Sequence, residues 1–105
     1  MSDMSENLDK LVERIVELVH PLQIILFGSA ARGDMTLDSD IDLLVVMPEG
    51  THRRDTAMYL YSKIRGIPCA YDILVAHPDD LKKHANNIGL IYYQIIEEGK
   101  IIYAV

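Results

Sequence analysis

The chain predicts a small α/β (α+β) domain with a mixed β-sheet flanked by helices. Three observations carry that reading. A stretch near the N-terminus repeats its apolar residues at helical spacing. Two short apolar runs, 23–27 and 41–47, are closed by glycine or proline in the manner of strands, and 69–76 alternates as a third strand would. Segments of helical character separate or follow those runs, which favours layered α/β architecture over a helical bundle or a β-sandwich.

The elements follow in order. Residues 1–6 are polar and read as frayed. Over 7–20 the apolar residues Leu8, Leu11, Val12, Ile15, Val16, Leu18 and Val19 fall mostly at helical spacing, with Glu13, Arg14 and Glu17 opposite, Asn7 as the expected N-cap and Pro21 as the stop. Gln23 to Phe27 is a strand ended by Gly28. Residues 29–32 look like the first turn of a short helix, and 33–39 a turn-rich loop. A second strand starts around Asp40 and ends at Pro48-Glu49-Gly50. Thr51 is placed to cap a helix running to about Arg65, which Gly66 and Pro68 close. The alternating run 69–76 is a third strand. Pro78-Asp79-Asp80 opens a helix to about Asn86. Residues 90–98 are helical with Gly99 as the C′ residue, and 100–103 form a terminal strand or an extended tail. The polarity of the sheet is left open by this order.

Composition narrows the function. A length of 105 residues is one domain's worth, 1–105, with a modest core. Half of the residues are apolar, but no run approaches the roughly 20 needed to span a membrane. The acidic N-terminus has no signal-peptide pattern and the lone Cys69 excludes an internal disulfide, so the expected compartment is the cytoplasm. The formal charge of −6 argues against direct nucleic-acid binding, which needs a basic footprint. It does not argue against a nucleotide substrate, because a metal ion offsets repulsion between carboxylates and phosphates.

The chemistry concentrates in Phe27-Gly28-Ser29-Ala30-Ala31-Arg32-Gly33-Asp34 and, further on, Ser39-Asp40-Ile41-Asp42. Gly28 and Ser29 stand where a strand passes into a helix. Glycine there permits close backbone approach, and the helix N-terminus offers free N–H groups to a phosphate. The Ser29 hydroxyl adds a donor. Arg32, a turn later, binds phosphate or braces the loop through Asp34 or Asp38. Asp40 and Asp42 are two apart at a strand start and so share a face. Their mutual repulsion is relieved by a divalent cation, and hard oxygen ligands suit magnesium. Asp72 interrupts the apolar run Ala70-Tyr71-Asp72-Ile73-Leu74-Val75. Should its strand neighbour the second one, it joins Asp40 and Asp42; on a free edge it is instead a surface residue. Three carboxylates beside a phosphate-binding turn point to metal-assisted phosphoryl chemistry, with two ions clamping the attacking and leaving oxygens.

The segment resembles the signature of the DNA polymerase β-like nucleotidyltransferase superfamily: Gly-Ser, ten residues, then Asp-x-Asp, as in Gly28-Ser29 and Asp40-Ile41-Asp42. At this length the chain is most similar to the minimal nucleotidyltransferase antitoxins, which pair with HEPN-domain RNase toxins. The resemblance covers most of the chain, although only that block is specific. It implies two Mg2+ ions, replaceable by Mn2+, held by Asp40, Asp42 and Asp72. It implies ATP as donor, bound through Gly28, Ser29 and Arg32, and AMP transfer to a tyrosine of the toxin within a hetero-oligomer. The chain carries no second domain to enclose base or acceptor, which suggests that the partner completes the site.

Other features have plainer readings. His20, His52, His77 and His84 share no metal-ligand spacing, His52-Arg53-Arg54 and Lys82-Lys83 read as solvated helix faces, and Cys69 as a core residue. Tyr59, Tyr61, Tyr92 and Tyr93 suit either core packing or an interface. Two other functions compete with the enzyme antitoxin. A binding-only antidote has no need of three converging acids. A small-molecule nucleotidyltransferase usually carries an additional helical domain for its acceptor.

Overall fold

The computed structural model describes residues 4–28, 31, 40–84, 95 and 97–105. Its elements are α1 (Met4–Val19), β1 (Gln23–Phe27), β2 (Ile41–Val46), α2 (Arg53–Lys63), β3 (Tyr71–Ala76), α3 (Pro78–His84) and β4 (Lys100–Ala104). The strands form one mixed sheet in the order β3-β2-β1-β4. β1 runs antiparallel to both β2 and β4, whereas β2 and β3 are parallel. The parallel pair is joined through α2, as a parallel connection requires a long crossover. The residues 100–103 left open between strand and tail are thus a strand, with a register shift opposite Ile24 and Ile25.

Both faces of the two central strands are covered, which is why β1 and β2 read as continuous apolar runs rather than alternating ones. On one face Ile24, Leu26, Ile41, Leu43, Val45 and Ile73 pack against Leu11 and Ile15 of α1 and Leu60 of α2. On the other, Ile25, Leu44, Val46 and Ala76 pack with Ile95 and Leu81. The described residues contain no helix long and apolar enough to cross a membrane.

The helix ends correct several expectations. α1 begins at Met4, so Asn7 is not its N-cap. Asn7 instead continues the stripe of Leu11 and Ile15, one helical turn apart, and is only 4 % exposed, with its Oδ1 unpartnered among the described residues. α1 ends at Val19, and His20, whose φ of 49° lies in the left-handed region, turns the chain ahead of Pro21. α2 is capped by His52 rather than Thr51: the His52 Nδ1 accepts from the Asp55 N–H at 3.2 Å. It ends at Lys63, where the Ile64 N–H still reaches the Leu60 carbonyl. α3 is described from Pro78 to His84, its expected end near Asn86 lying outside the described residues; its first turn is fixed by Asp80, which accepts from the His77 N–H at 2.9 Å in a capping-box arrangement. Gly99 donates its N–H to the Ile95 carbonyl but does not adopt a left-handed conformation. Glycine is needed there because a Cβ would run into that carbonyl and Ile25. Most of the expected helix over 90–98, and the turn over 29–39 apart from Ala31, lie outside the described residues.

Candidate active site

The acids meet at one end of the sheet because of strand register. Phe27 at the end of β1 pairs with Asp42, and Asp42 pairs with Asp72. One row across three strands therefore carries two adjacent carboxylates, about 4.8 Å apart at the backbone as neighbouring strands are. Both belong to the face opposite α1 and α2, since Leu43 and Ile73, the next residues, point into that helix-covered layer. This end is the amino end of the parallel pair and the carboxyl end of β1.

Gly28 follows Phe27 and adopts a φ of 76°, which favours glycine. A Cβ added there would overlap the Asp42 carboxylate. The turn thus passes directly against the acid, and only a residue without a side chain allows it. Asp42 is half-buried and held by interactions of its own.

Asp40 is exposed and precedes β2, whose first backbone bond runs from the Ile41 N–H to the Ala70 carbonyl at 3.0 Å. That bond draws the start of β2 to the loop before β3, which holds Cys69. Burial first, and then the negative charge of Asp40, push the Cys69 thiol above its ordinary value, so the thiol stays protonated. Cys69 is half-buried and packs at the margin of the core, rather than within it.

Asp72 is exposed, because β3 is an edge strand among the described residues. Both conditions weighed for it hold: its strand neighbours β2, and its side chain is on the surface. Solvent therefore meets its need for a partner, and the argument for function rests on its register with Asp42. Ser29 and Arg32, expected to contact nucleotide, lie outside the described residues.

Among the described residues no three His, Cys, Asp or Glu side chains converge closely enough to form a metal cage. Magnesium rarely needs such a cage; it is usually bound by one or two carboxylates together with substrate phosphates and water. The Asp42–Asp72 pair, with Asp40 two residues upstream, fits that mode in donor chemistry.

At the opposite end of the sheet Arg53, from the run expected to form a solvated helix face, joins a network. Arg53 Nη1 lies 3.0 Å from Asp80 Oδ2, the Glu49 carboxylate accepts from the Asp79 N–H at 3.0 Å, and His77 Nε2 donates to the Thr51 carbonyl at 2.6 Å. The His77 N–H bond, then the Arg53 and His77 charges, hold Asp80 below the usual carboxylate range despite its burial. These contacts tie the two helix starts together, and no sequence spacing announces them. A concavity of about 440 Å³ beside them is lined by His52, Arg53, Arg54 and His77, remote from the acids.

A mixed sheet in this order, with its helices, is the architecture of a polymerase β-like nucleotidyltransferase domain. Residues 9–105 match the family described as polymerase beta, nucleotidyltransferase, and the chain belongs to that family. Two solved structures show the same fold. A candidate nucleotidyltransferase from Sulfolobus solfataricus superposes with a TM-score of 0.65 at 24 % identity, covering 96 % of this chain and 80 % of that one. A toxin–antitoxin crystallised with AMP-PNP gives 0.61 at 21 % identity, covering 92 % of this chain and 73 % of that one. No curated sequence matches the chain.

Proposed function

We propose that this chain is an antitoxin that transfers AMP from ATP to a hydroxyl, that of a tyrosine, on a cognate HEPN-domain RNase toxin. The observation that carries the reading is the register that sets Asp42 beside Asp72 on one sheet face, with Gly28 packed against Asp42. Family membership supports nucleotide chemistry, and the toxin–antitoxin neighbour holding an ATP analogue supports a toxin as partner.

In this mechanism the turn at Gly28 and Ser29 receives the triphosphate, and Arg32 pairs with its phosphates. Asp40, Asp42 and Asp72 would hold two magnesium ions, which when bound offset phosphate charge and acidify the acceptor hydroxyl. Asp72 orients the acceptor and takes its proton. The acceptor oxygen bonds to the α-phosphorus as the bond to the β-phosphate bridging oxygen breaks. Pyrophosphate leaves with that electron pair. The protein's own acidity keeps nucleic acids away from the site.

A binding-only antidote is the second reading, favoured by the exposed Met58, Tyr59 and Tyr61 on α2. One experiment separates the two. The chain is mixed with α-labelled ATP, magnesium and the product of the adjacent gene, with Asp42→Ala as control. Label on the partner that disappears in the variant is the expected result. A stable, inactive complex without label would establish the binding-only antidote instead.

A further inference from the structure

We infer that Tyr61 is a positioning residue for Asp72: its hydroxyl takes the place that an outer strand would fill and fixes the peptide on which Asp72 stands. The inference rests on the role proposed above for Asp72.

The backbone pattern of β3 is set by the bonds at the two ends of its ladder. The Ile41 N–H donates to the Ala70 carbonyl at 3.0 Å and the Met47 N–H to the Ala76 carbonyl at 2.8 Å. With the strands paired residue for residue, even-numbered residues of β3 turn their backbone groups to β2 and odd-numbered ones turn theirs outward. Asp72 is thus held by β2 on one side. The N–H of Ile73, in the same peptide unit, faces the edge, where no further strand lies among the described residues.

That N–H donates to the Tyr61 hydroxyl at 2.7 Å. The Tyr61 ring is itself fixed, stacked on Tyr71 with centroids 6.0 Å apart and planes inclined by 7°. Tyr61 therefore grips the two residues flanking Asp72, one through its ring and one through its hydroxyl. An edge strand tethered on one side pivots more easily than a central one. A carboxylate that must meet a reacting hydroxyl tolerates little such movement. Tyr61 pins the strand from α2 on the helix-covered face, leaving the opposite face around Asp72 open to the acceptor. Edge protection against strand addition would also explain the bond, but it predicts no effect on the reaction.

The test is Tyr61→Phe, which keeps the stacked ring and removes the hydroxyl. Exchange of the Ile73 amide should quicken about fivefold, the worth of one hydrogen bond. Well below Tm, kcat should fall about tenfold, the low end for a residue supporting a metal ligand. KM for ATP should stay within about twofold, because the nucleotide side of the site is untouched. Unchanged kcat with faster Ile73 exchange would overturn the inference in favour of edge protection. So would a rise in KM that parallels the fall in kcat, the mark of general loosening. The inference is also read without turnover, by adding Mn2+ to protein holding a non-hydrolysable ATP analogue and following broadening of the Asp72 amide. The variant should need about fivefold more Mn2+. Equal sensitivity in both proteins, or no broadening at Asp72, overturns it. Absence of transfer by the wild-type chain would instead remove the enzymatic reading, leaving the Mn2+ titration to decide this one.

Discussion

Replacing Gly28 by alanine should damage catalysis more than it damages folding, and the geometry says by how much. The φ of 76° puts an alanine in the left-handed region, at a cost of about 1–2 kcal/mol. The new Cβ would overlap Asp42 Oδ2 and lie 3.2 Å from its Cγ, yet 3.5 Å from its Cβ. The last distance is ordinary contact, so the β2 backbone can stay in place while the carboxylate retreats by about 1 Å to reach van der Waals separation. Folding therefore loses little beyond the conformational cost, and Tm should drop by roughly 5–15 °C for a domain of this size. A displacement of about 1 Å at a reacting centre costs on the order of a hundredfold in rate. Thermal melts and transfer of α-labelled nucleotide at a temperature where the variant is folded would measure both. Repeating the substitution on an Asp42→Ala background separates the contributions, because the left-handed cost persists there and the overlap does not. Wild-type turnover in Gly28→Ala, accompanied by the expected loss of Tm, would refute the claim that this turn positions Asp42.

Two further outcomes follow from features remote from the acids. Asn7→Leu should raise stability by about 1 kcal/mol, since it removes a buried acceptor that has no partner and extends the stripe of Leu11 and Ile15. A lower Tm in chemical or thermal melts would show that Asn7 is satisfied in solution. Asp80→Ala should destabilise by about 1 kcal/mol near neutral pH through loss of the α3 cap. The folded-state pKa of Asp80 is depressed, so its contribution is fully present above the unfolded value and is lost as pH falls through the folded one. The Tm gap between wild type and variant should thus be constant from about pH 5 to 7 and narrow below about pH 4. A gap that is independent of pH would count against the ionised cap.

The sequence alone determined the element types and singled out the residues of the candidate site. Helical spacing in 7–20, the apolar runs of β1 and β2, and the alternation around Asp72 are local patterns, and each became the element they predict, give or take a few residues at its ends. Helix starts were less legible. Backbone N–H groups accept whichever partner the fold delivers, so α1 began before its candidate cap, and His52 displaced Thr51. Strand order, and with it the meeting of Asp42 with Asp72, was decided only by the tertiary structure. Those acids are thirty positions apart, and nothing in either run says that β3 lies beside β2, or that it lies at the edge of the described sheet. The same holds for Gly28 against Asp42, for Tyr61 at the Ile73 N–H and for the contacts joining Glu49, Arg53, His77 and Asp80. Periodicity records which face of an element is buried, because burial acts on each side chain separately. Pairing depends on which surfaces close one common core, and that is settled only when all of the elements pack at once.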